Sequence, residues 1–179
     1  DGLFNGTIDT VMTSITCPDL DIITGFPLQP LQFNSGGTID PDGTVYTVSH
    51  WVIMNYPIMR NISGELYCAM CFTAQIVEPP LEAIDFDTAC YGVCWVIIKY
   101  DKVESKWSKY QDGVVEHPEK KISYNTPTMG FDERGYTIIS FSACGAEEYM
   151  HTLTCGKALD DTEMTAPMRI SSSDTNRAS

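Results

Sequence analysis

Residues 64–77, GELYCAMCFTAQIV, and 89–100, ACYGVCWVIIKY, decide the fold predicted for this chain. Both runs are rich in β-branched, aromatic and cysteine residues, and the proline-broken segment 78–88 separates them, as expected for two neighbouring strands. In each run, both alternating sets of residues are largely apolar. A strand that is apolar on both faces needs cover on both sides, so we place this pair at the centre of a sandwich or a closed barrel.

The rest of the chain predicts further strands joined by turns. Strand patterns occupy five more segments: 44–54, 106–110, 114–117, 122–124 and 135–144. Asp112-Gly113 is a type I′ hairpin signal, DPDG at 40–43 predicts a turn, and the segment 125–135, which contains a proline and glycines, predicts a loop.

Helical patterns are confined to the first 16 residues. We therefore predict an all-β fold, either an antiparallel β-barrel or a two-sheet sandwich, that encloses an apolar pocket. Beyond Gly156 the apolar pattern ends, and the last residues are small, polar and rich in hydroxyl groups. The predicted organisation is a single secreted β domain at 1–159, followed by a flexible C-terminal tail at 160–179.

The composition restricts the classes of partner. Eleven lysines and arginines against 24 aspartates and glutamates give a net charge of −13, which repels phosphate backbones, so no nucleic-acid partner is expected. No run of about 18 apolar residues is present, so we expect no membrane span. The chain begins at Asp1 rather than at a methionine, which predicts a mature form without its signal peptide and hence a secreted, extracellular protein.

Cysteines and glycosylation sequons also indicate an oxidising compartment. The sequons NGT and NIS make Asn5 and Asn61 the predicted glycosylation sites. If the two central strands are antiparallel and joined near Leu81, then Cys71 lies opposite Cys90, and Cys68 lies opposite Cys94 within a residue. Cross-strand bridges are then sterically allowed.

Disulfides are favoured over a zinc ribbon and over buried free thiols, because the cysteine pairs lie within strand patterns rather than on tight turns. Cys17 bonded to Cys144 or Cys155 would tie the amino-terminal segment to the last strands, although the pairing stays open. The odd number leaves one thiol unpaired or linked to another chain. The predicted disulfide cysteines, one of them unpaired, are Cys17, Cys68, Cys71, Cys90, Cys94, Cys144 and Cys155.

The sequence contains no catalytic signature. The only histidines are His50, His117 and His151, no local motif surrounds any cysteine, and no Gly-x-Ser-x-Gly elbow is present. The DPDG segment resembles half of a calcium loop, but no glutamate closes it. We predict a protein that is not an enzyme, with no catalytic residue, no catalytic cofactor and no metal site.

The aromatic content is the strongest indication of a ligand. The chain has nine tyrosines, seven phenylalanines and three tryptophans, with eight methionines, and many lie on the strongest strand patterns. Apolar and aromatic faces inside a β-fold, with a few hydroxyl groups and a histidine, suit a small apolar molecule. The predicted ligand-binding residues are Tyr46, His50, Trp51, Phe72, Trp95, Tyr136 and Phe141.

Two families of secreted carriers resemble this sequence. It is similar to lipocalins in size, acidity, meander of strands and the late strand GYTIISFSAC at 135–144, which ends in cysteine. It differs from them because no Gly-x-Trp motif opens the first strand and no helix pattern follows the last one. It also resembles ependymin-related proteins in Cys17-Pro18, in YPIMR at 56–60, and in Pro80-Leu81 followed by Ile84-Asp85.

Both resemblances imply a pocket within or between β-sheets for lipids, retinoids, carotenoids or bilins, and neither transfers a site residue by residue. We therefore predict a non-enzymatic extracellular carrier of a hydrophobic small molecule, such as a lipid or a carotenoid-type pigment. The alternative is an extracellular recognition or structural module that acts through protein–protein contacts. In that case the odd cysteine and the exposed strand edges would serve assembly into a homo- or hetero-oligomer.

Overall fold

The computed structural model describes residues 36–48, 56–77 and 90–172, and every secondary-structure element in these residues is a β-strand. The strands are β1 (Gly36–Ile39), β2 (Val45–Val48), β3 (Ile58–Ile62), β4 (Glu65–Val77), β5 (Cys90–Asp101), β6 (Lys106–Val115), β7 (Ser123–Phe131), β8 (Thr137–Gly145), β9 (Glu148–Lys157) and β10 (Met168–Ser172). The all-β prediction is confirmed for these residues. The predictions for the first 16 residues and for the loop 78–88 lie outside them.

The strands form two four-stranded antiparallel sheets and a separate hairpin. The first sheet has the order β3-β4-β5-β6, the second has the order β10-β9-β8-β7, and β1 pairs with β2. Within the described residues neither sheet closes into a barrel, so of the two predicted architectures the chain adopts separate sheets. One buried cluster contains side chains from both four-stranded sheets, as in a sandwich.

The central pair was predicted correctly. β4 and β5 are antiparallel neighbours in the middle of the first sheet. On the face toward the second sheet their buried residues are Tyr67, Ala69, Cys71, Thr73, Val93, Trp95 and Ile97. On the other face, Ala74 and Cys94 are fully buried and pack with Phe72, Ile76 and Val114. Both faces are therefore buried, as the apolar pattern required.

The predicted turn at Asp112-Gly113 is wrong, because β6 runs straight through it. Asp112 is paired with Val96, and Gly113 with Trp95. A Cβ atom at Gly113 would lie 2.9 Å from Cζ2 of the Trp95 ring, so the glycine gives space to the indole of the next strand. The hairpin between β5 and β6 turns at residues 102–105, where Asp101 accepts the backbone N–H groups of Val103 and Glu104.

The predicted loop at 125–135 is also wrong over most of its length. β7 continues to Phe131, and a bulge absorbs the proline: Thr126 and Pro127 together lie opposite Phe141. β7 is the edge strand of its sheet, where a bulge tolerates a residue that has no N–H group. The N–H of Thr126 donates to Oγ1 of Thr73, 3.1 Å away on the other sheet. The bulge thus forms a hydrogen bond between the two sheets.

The sequence did not predict strands β1, β3 and β10, of which β3 and β10 are edges of the four-stranded sheets. β3 pairs with β4, and its exposed residues leave it with little of the burial pattern that identifies a strand. β10 pairs with β9 through a bulge, so the flexible-tail prediction is wrong for Met168–Ser172. Residues 173–179 of that predicted tail lie outside the described residues.

Two shorter predictions are confirmed, and a further turn lies after Asn61. The turn at 40–43 joins β1 to β2 and is closed by the N–H of Gly43, which donates to the carbonyl of Asp40 at 2.9 Å. The strand predicted at 135–144 corresponds to β8, and the chain turns directly into β9. The surface turn after Asn61 joins β3 to β4, and the N–H of Gly64 donates to the Asn61 side-chain oxygen at 3.0 Å.

Replacing Gly113 by alanine should destabilise the sandwich by about 1–3 kcal/mol, because the added methyl group collides with the Trp95 ring. Urea unfolding of Gly113→Ala, Trp95→Phe and the double variant measures this coupling. We expect the smaller phenylalanine ring at position 95 to restore part of the lost free energy of unfolding in the double variant. Additive effects in the double variant would contradict the contact that replaces the predicted turn.

Candidate functional site

The structure separates the residues predicted to bind a ligand. Trp95 on β5 and Phe141 on β8 both belong to the buried cluster between the sheets, where Phe141 is 1% exposed. Its ring packs at 4.8 Å, between centroids, on that of Tyr124. Phe72 lies on the opposite face of the first sheet.

The other predicted ligand residues lie away from this cluster. Tyr46 is on the β1–β2 hairpin, where its hydroxyl donates to Oδ2 of Asp40 at 3.3 Å. Tyr136 is 58% exposed just before β8. His50 and Trp51 lie outside the described residues. Of the seven, only Trp95 and Phe141 share one cluster, and there they act as core residues.

The predicted disulfides among the described cysteines are absent. Cys68, Cys71, Cys90, Cys94, Cys144 and Cys155 are all buried free thiols, and Cys17 lies outside the described residues. The predicted register was wrong as well, because Cys71 is opposite Trp95 and Cys94 is opposite Phe72. The pairing of β4 with β5 is centred about two residues beyond Leu81.

Burial also makes these thiols poor nucleophiles. It raises the pKa of Cys71 and of Cys94 to about 12, and that of Cys155 to about 11. Since the thiolate is the reactive form, little of it exists near neutral pH. A catalytic cysteine is activated by surroundings that lower its pKa, whereas burial raises the pKa of these thiols.

Iodoacetamide should therefore distinguish the folded from the unfolded chain. At pH 8, the six described cysteines should stay largely unmodified in the native protein, and labelling should accelerate as the pH rises from 9 toward 11. In denaturant without reductant, all six should be alkylated, as peptide mass spectrometry will show. A disulfide-linked peptide among the six would contradict the free-thiol structure.

The predicted glycosylation site at Asn61 is on the surface. Asn61 lies in β3 and is exposed, while its side-chain oxygen caps the following turn. The nitrogen that would carry a glycan is not used in that hydrogen bond. Asn5, the other predicted site, lies outside the described residues.

His151 is the most highly connected of the described histidines. Its Nδ1 lies 2.8 Å from the carbonyl of Tyr149, and its Nε2 lies 3.1 Å from the Arg169 guanidinium. A carbonyl only accepts and a guanidinium only donates, so Nδ1 carries the proton and Nε2 is the acceptor. Glu148 forms an ion pair with the same guanidinium.

This network holds strand β10 to strand β9 rather than preparing a catalytic base. Arg169 belongs to β10, and both of its partners belong to β9. Because the guanidinium occupies the lone pair of Nε2, His151 has no free site with which to take a proton from a substrate. Among the described residues, no three His, Cys, Asp or Glu side chains are placed to hold a metal ion.

The outer face of the second sheet is a better candidate for function, and we call it the Ser/Thr face. It consists of the positions on the outer side of β7 to β10 that are not buried: Thr128, Gly130, Ile138, Ser140, Ser142, Met150, Thr152, Thr154, Gly156, Met168 and Ser171. Ile138, Met150 and Met168 are exposed large apolar residues of this face, and Ile170 at the β10 bulge is exposed beside them.

The face carries no charged side chain, although the chain has a net charge of −13. Hydroxyl groups at its centre are linked to each other: Ser140 donates to Thr154 at 3.3 Å, and Thr154 donates to the carbonyl of Ile139 at 3.2 Å. These bonds fix the central side chains, and fixed side chains lose little conformational entropy on binding.

The size of the face sets the strength of the contacts it can make. Three strand spacings of about 4.8 Å and seven residues at about 3.3 Å each give a face of roughly 15 by 23 Å. The resulting area, about 350 Å², is smaller than the roughly 800 Å² per partner that a stable complex buries. A partner must therefore bind weakly or extend beyond the face.

Comparison with known proteins identifies no relative of this chain. No protein-family model matches the sequence, and no curated protein or solved structure is significantly similar to it. The resemblances to lipocalins and ependymin-related proteins therefore stay predictions. The described residues include no helix that is long and apolar enough to cross a membrane.

Proposed function

We propose that this chain is a secreted, non-enzymatic recognition module that associates with a second copy of itself through the Ser/Thr face. The observation that supports this proposal is an uncharged sheet face with exposed Ile138, Met150 and Met168 in a strongly acidic chain. Exposed apolar residues grouped on one regular surface mark interaction sites more often than isolated ones do.

Charge supports a second copy as the partner. Two chains that each carry −13 repel one another, so they approach best where neither presents a charge. The face contains both donors and acceptors in its hydroxyl groups, and apolar side chains at its margins. A surface of this kind is complementary to itself under a two-fold rotation. The estimated area favours a dimer that dissociates in the micromolar range or above.

Carriage of a hydrophobic small molecule is the second candidate. It is supported by Trp95, whose ring lies beside an open cleft as well as in the core. The cleft has a volume of about 480 Å³, which is within the range of small-molecule sites. It ranks second because Phe72, Tyr46 and Tyr136 lie elsewhere.

Sedimentation velocity over a range of protein concentrations tests self-association. We expect a monomer–dimer equilibrium that becomes tighter as salt is added, because salt screens the repulsion between like-charged copies. Ile138→Lys should weaken the dimer at least about tenfold, since it places a charge in an uncharged contact. Ile138 is 54% exposed, so the folded monomer should tolerate the lysine.

Val103→Lys is the matched control. Val103 is 94% exposed in the β5–β6 turn, so the same change in charge should leave the dimer nearly intact. A chain that stays monomeric at every concentration and salt level would overturn the proposal. Equal weakening by both lysine variants would also overturn it, because the effect would then come from total charge.

A further inference from the structure

A cleft runs along the free edge of strand β6. The five consecutive residues 112–116 line one side of it, and the six consecutive residues 162–167 line the other. Side chains alternate between the two faces of a strand, so consecutive residues can line one cavity only along the strand edge. Among the described strands, β6 pairs only with β5, so no described strand occupies its other edge.

The opposite wall is held in place by the second sheet. The backbone N–H of Thr165 donates to the carbonyl of Gly156 at 2.9 Å, and the N–H of Gly156 donates to the Thr165 hydroxyl at 3.1 Å. A turn at the start of the segment is closed by the N–H of Asp161, which donates to the carbonyl of Ala158. The cleft is therefore preformed, which lowers the entropy cost of binding.

The charged side chains that line the cleft are all acidic, although Lys120 lies 3.9 Å from Glu116. The charged residues of the lining are Asp112, Glu116 and Glu163, and no lysine, arginine or histidine lines the cleft. Apolar contact comes from Trp95, Val114, Val115, Met164, Ala166 and Pro167. The carboxylates are spread along both walls and do not converge, in agreement with the absence of a metal-binding group among the described residues. An extended ligand with separated positive charges suits them better than a single ion.

Asp112 adds an independent sign that a ligand belongs here. Its side chain is 6% exposed, and Oδ1 lies 3.1 Å from the Lys109 ammonium. Oδ2 is buried and has no hydrogen-bond partner among the described residues. A buried acceptor without a donor is costly. A donor brought by a bound molecule would satisfy it.

We propose that this cleft binds an extended basic peptide segment, which adds as a strand to the free edge of β6 and places lysine or arginine side chains among the three carboxylates. The five lining residues 112–116, four of which belong to β6, span about 13 Å, so a segment of about five residues fills the edge. Backbone pairing supplies affinity and the carboxylates supply selectivity, as in other cases of strand addition. The inference does not depend on the Ser/Thr face, which lies on the second sheet.

Titration calorimetry on the full chain tests the site with a capped five-residue peptide of alternating valine and lysine. We expect binding that weakens as salt is added, because salt screens attraction between opposite charges. Glu116→Gln and Glu163→Gln should each lower the affinity about two- to fivefold. Glu133→Gln, an exposed carboxylate in the turn between β7 and β8, is the control and should change nothing.

Three further probes distinguish the proposed occupant from others. The same peptide with glutamate in place of lysine should not bind, and a version methylated at every backbone nitrogen should lose most of its affinity, because it cannot pair with β6. Butylamine should bind far more weakly than the peptide. The proposal is overturned if the lysine peptide does not bind, if methylation has no effect, if butylamine binds equally well, or if Glu133→Gln reduces binding as much as Glu163→Gln does.

Discussion

The fold depends on the pairing of two strands that are apolar on both faces. Neither β4 nor β5 offers a face to water: Cys71 and Trp95 are buried on one side, and Ala74 and Cys94 on the other. Burying one large apolar side chain stabilises the fold by about 1.5–3 kcal/mol, so this pair cannot serve as an exposed edge. It therefore lies in the middle of its sheet, and β3 and β6 become the edges.

The second sheet is positioned by the same pair. Its inner residues, among them Ile139 and Phe141, share one buried cluster with Val93 and Ile97 of β5. The hydrogen bond from the Thr126 N–H to Thr73 connects the β7 bulge to the fully buried face of β4. With the inner faces buried in this way, the Ser/Thr face outside the second sheet and the cleft beside the edge of the first stay accessible for recognition.

Local patterns predicted the interior of the fold better than its edges. The two central strands were identified because an apolar run specifies burial directly. Gly113 and Pro127 were misread as a turn and a loop because their neighbours in space, Trp95 and Phe141, are distant in sequence. The cysteines were misassigned for the same reason, since a difference in register of a few residues moves a thiol away from its expected partner.

The candidate sites were harder to predict than the fold. Hydroxyl-bearing and apolar residues alternate visibly in SFS at 140–142 and in TLT at 152–154. Such alternation identifies one face of a single strand, but it does not show that several strands align into one uncharged surface. The cleft lies between β6 and residues some 50 positions later in the chain. Local sequence patterns cover only a few residues and cannot predict such a contact. Both sites depend on tertiary placement, although the residue types that form them are ordinary for strands.

Methyl NMR of the chain at increasing concentration would test most directly the claim that this face mediates self-association. If this face forms the dimer contact, the methyl signals of Ile138, Met150 and Met168 shift together as the dimer forms, while those of Ile139 and Met129, which are buried between the sheets, stay in place. Shifts at the core methyl groups without shifts at Ile138 and Met168 would contradict that claim.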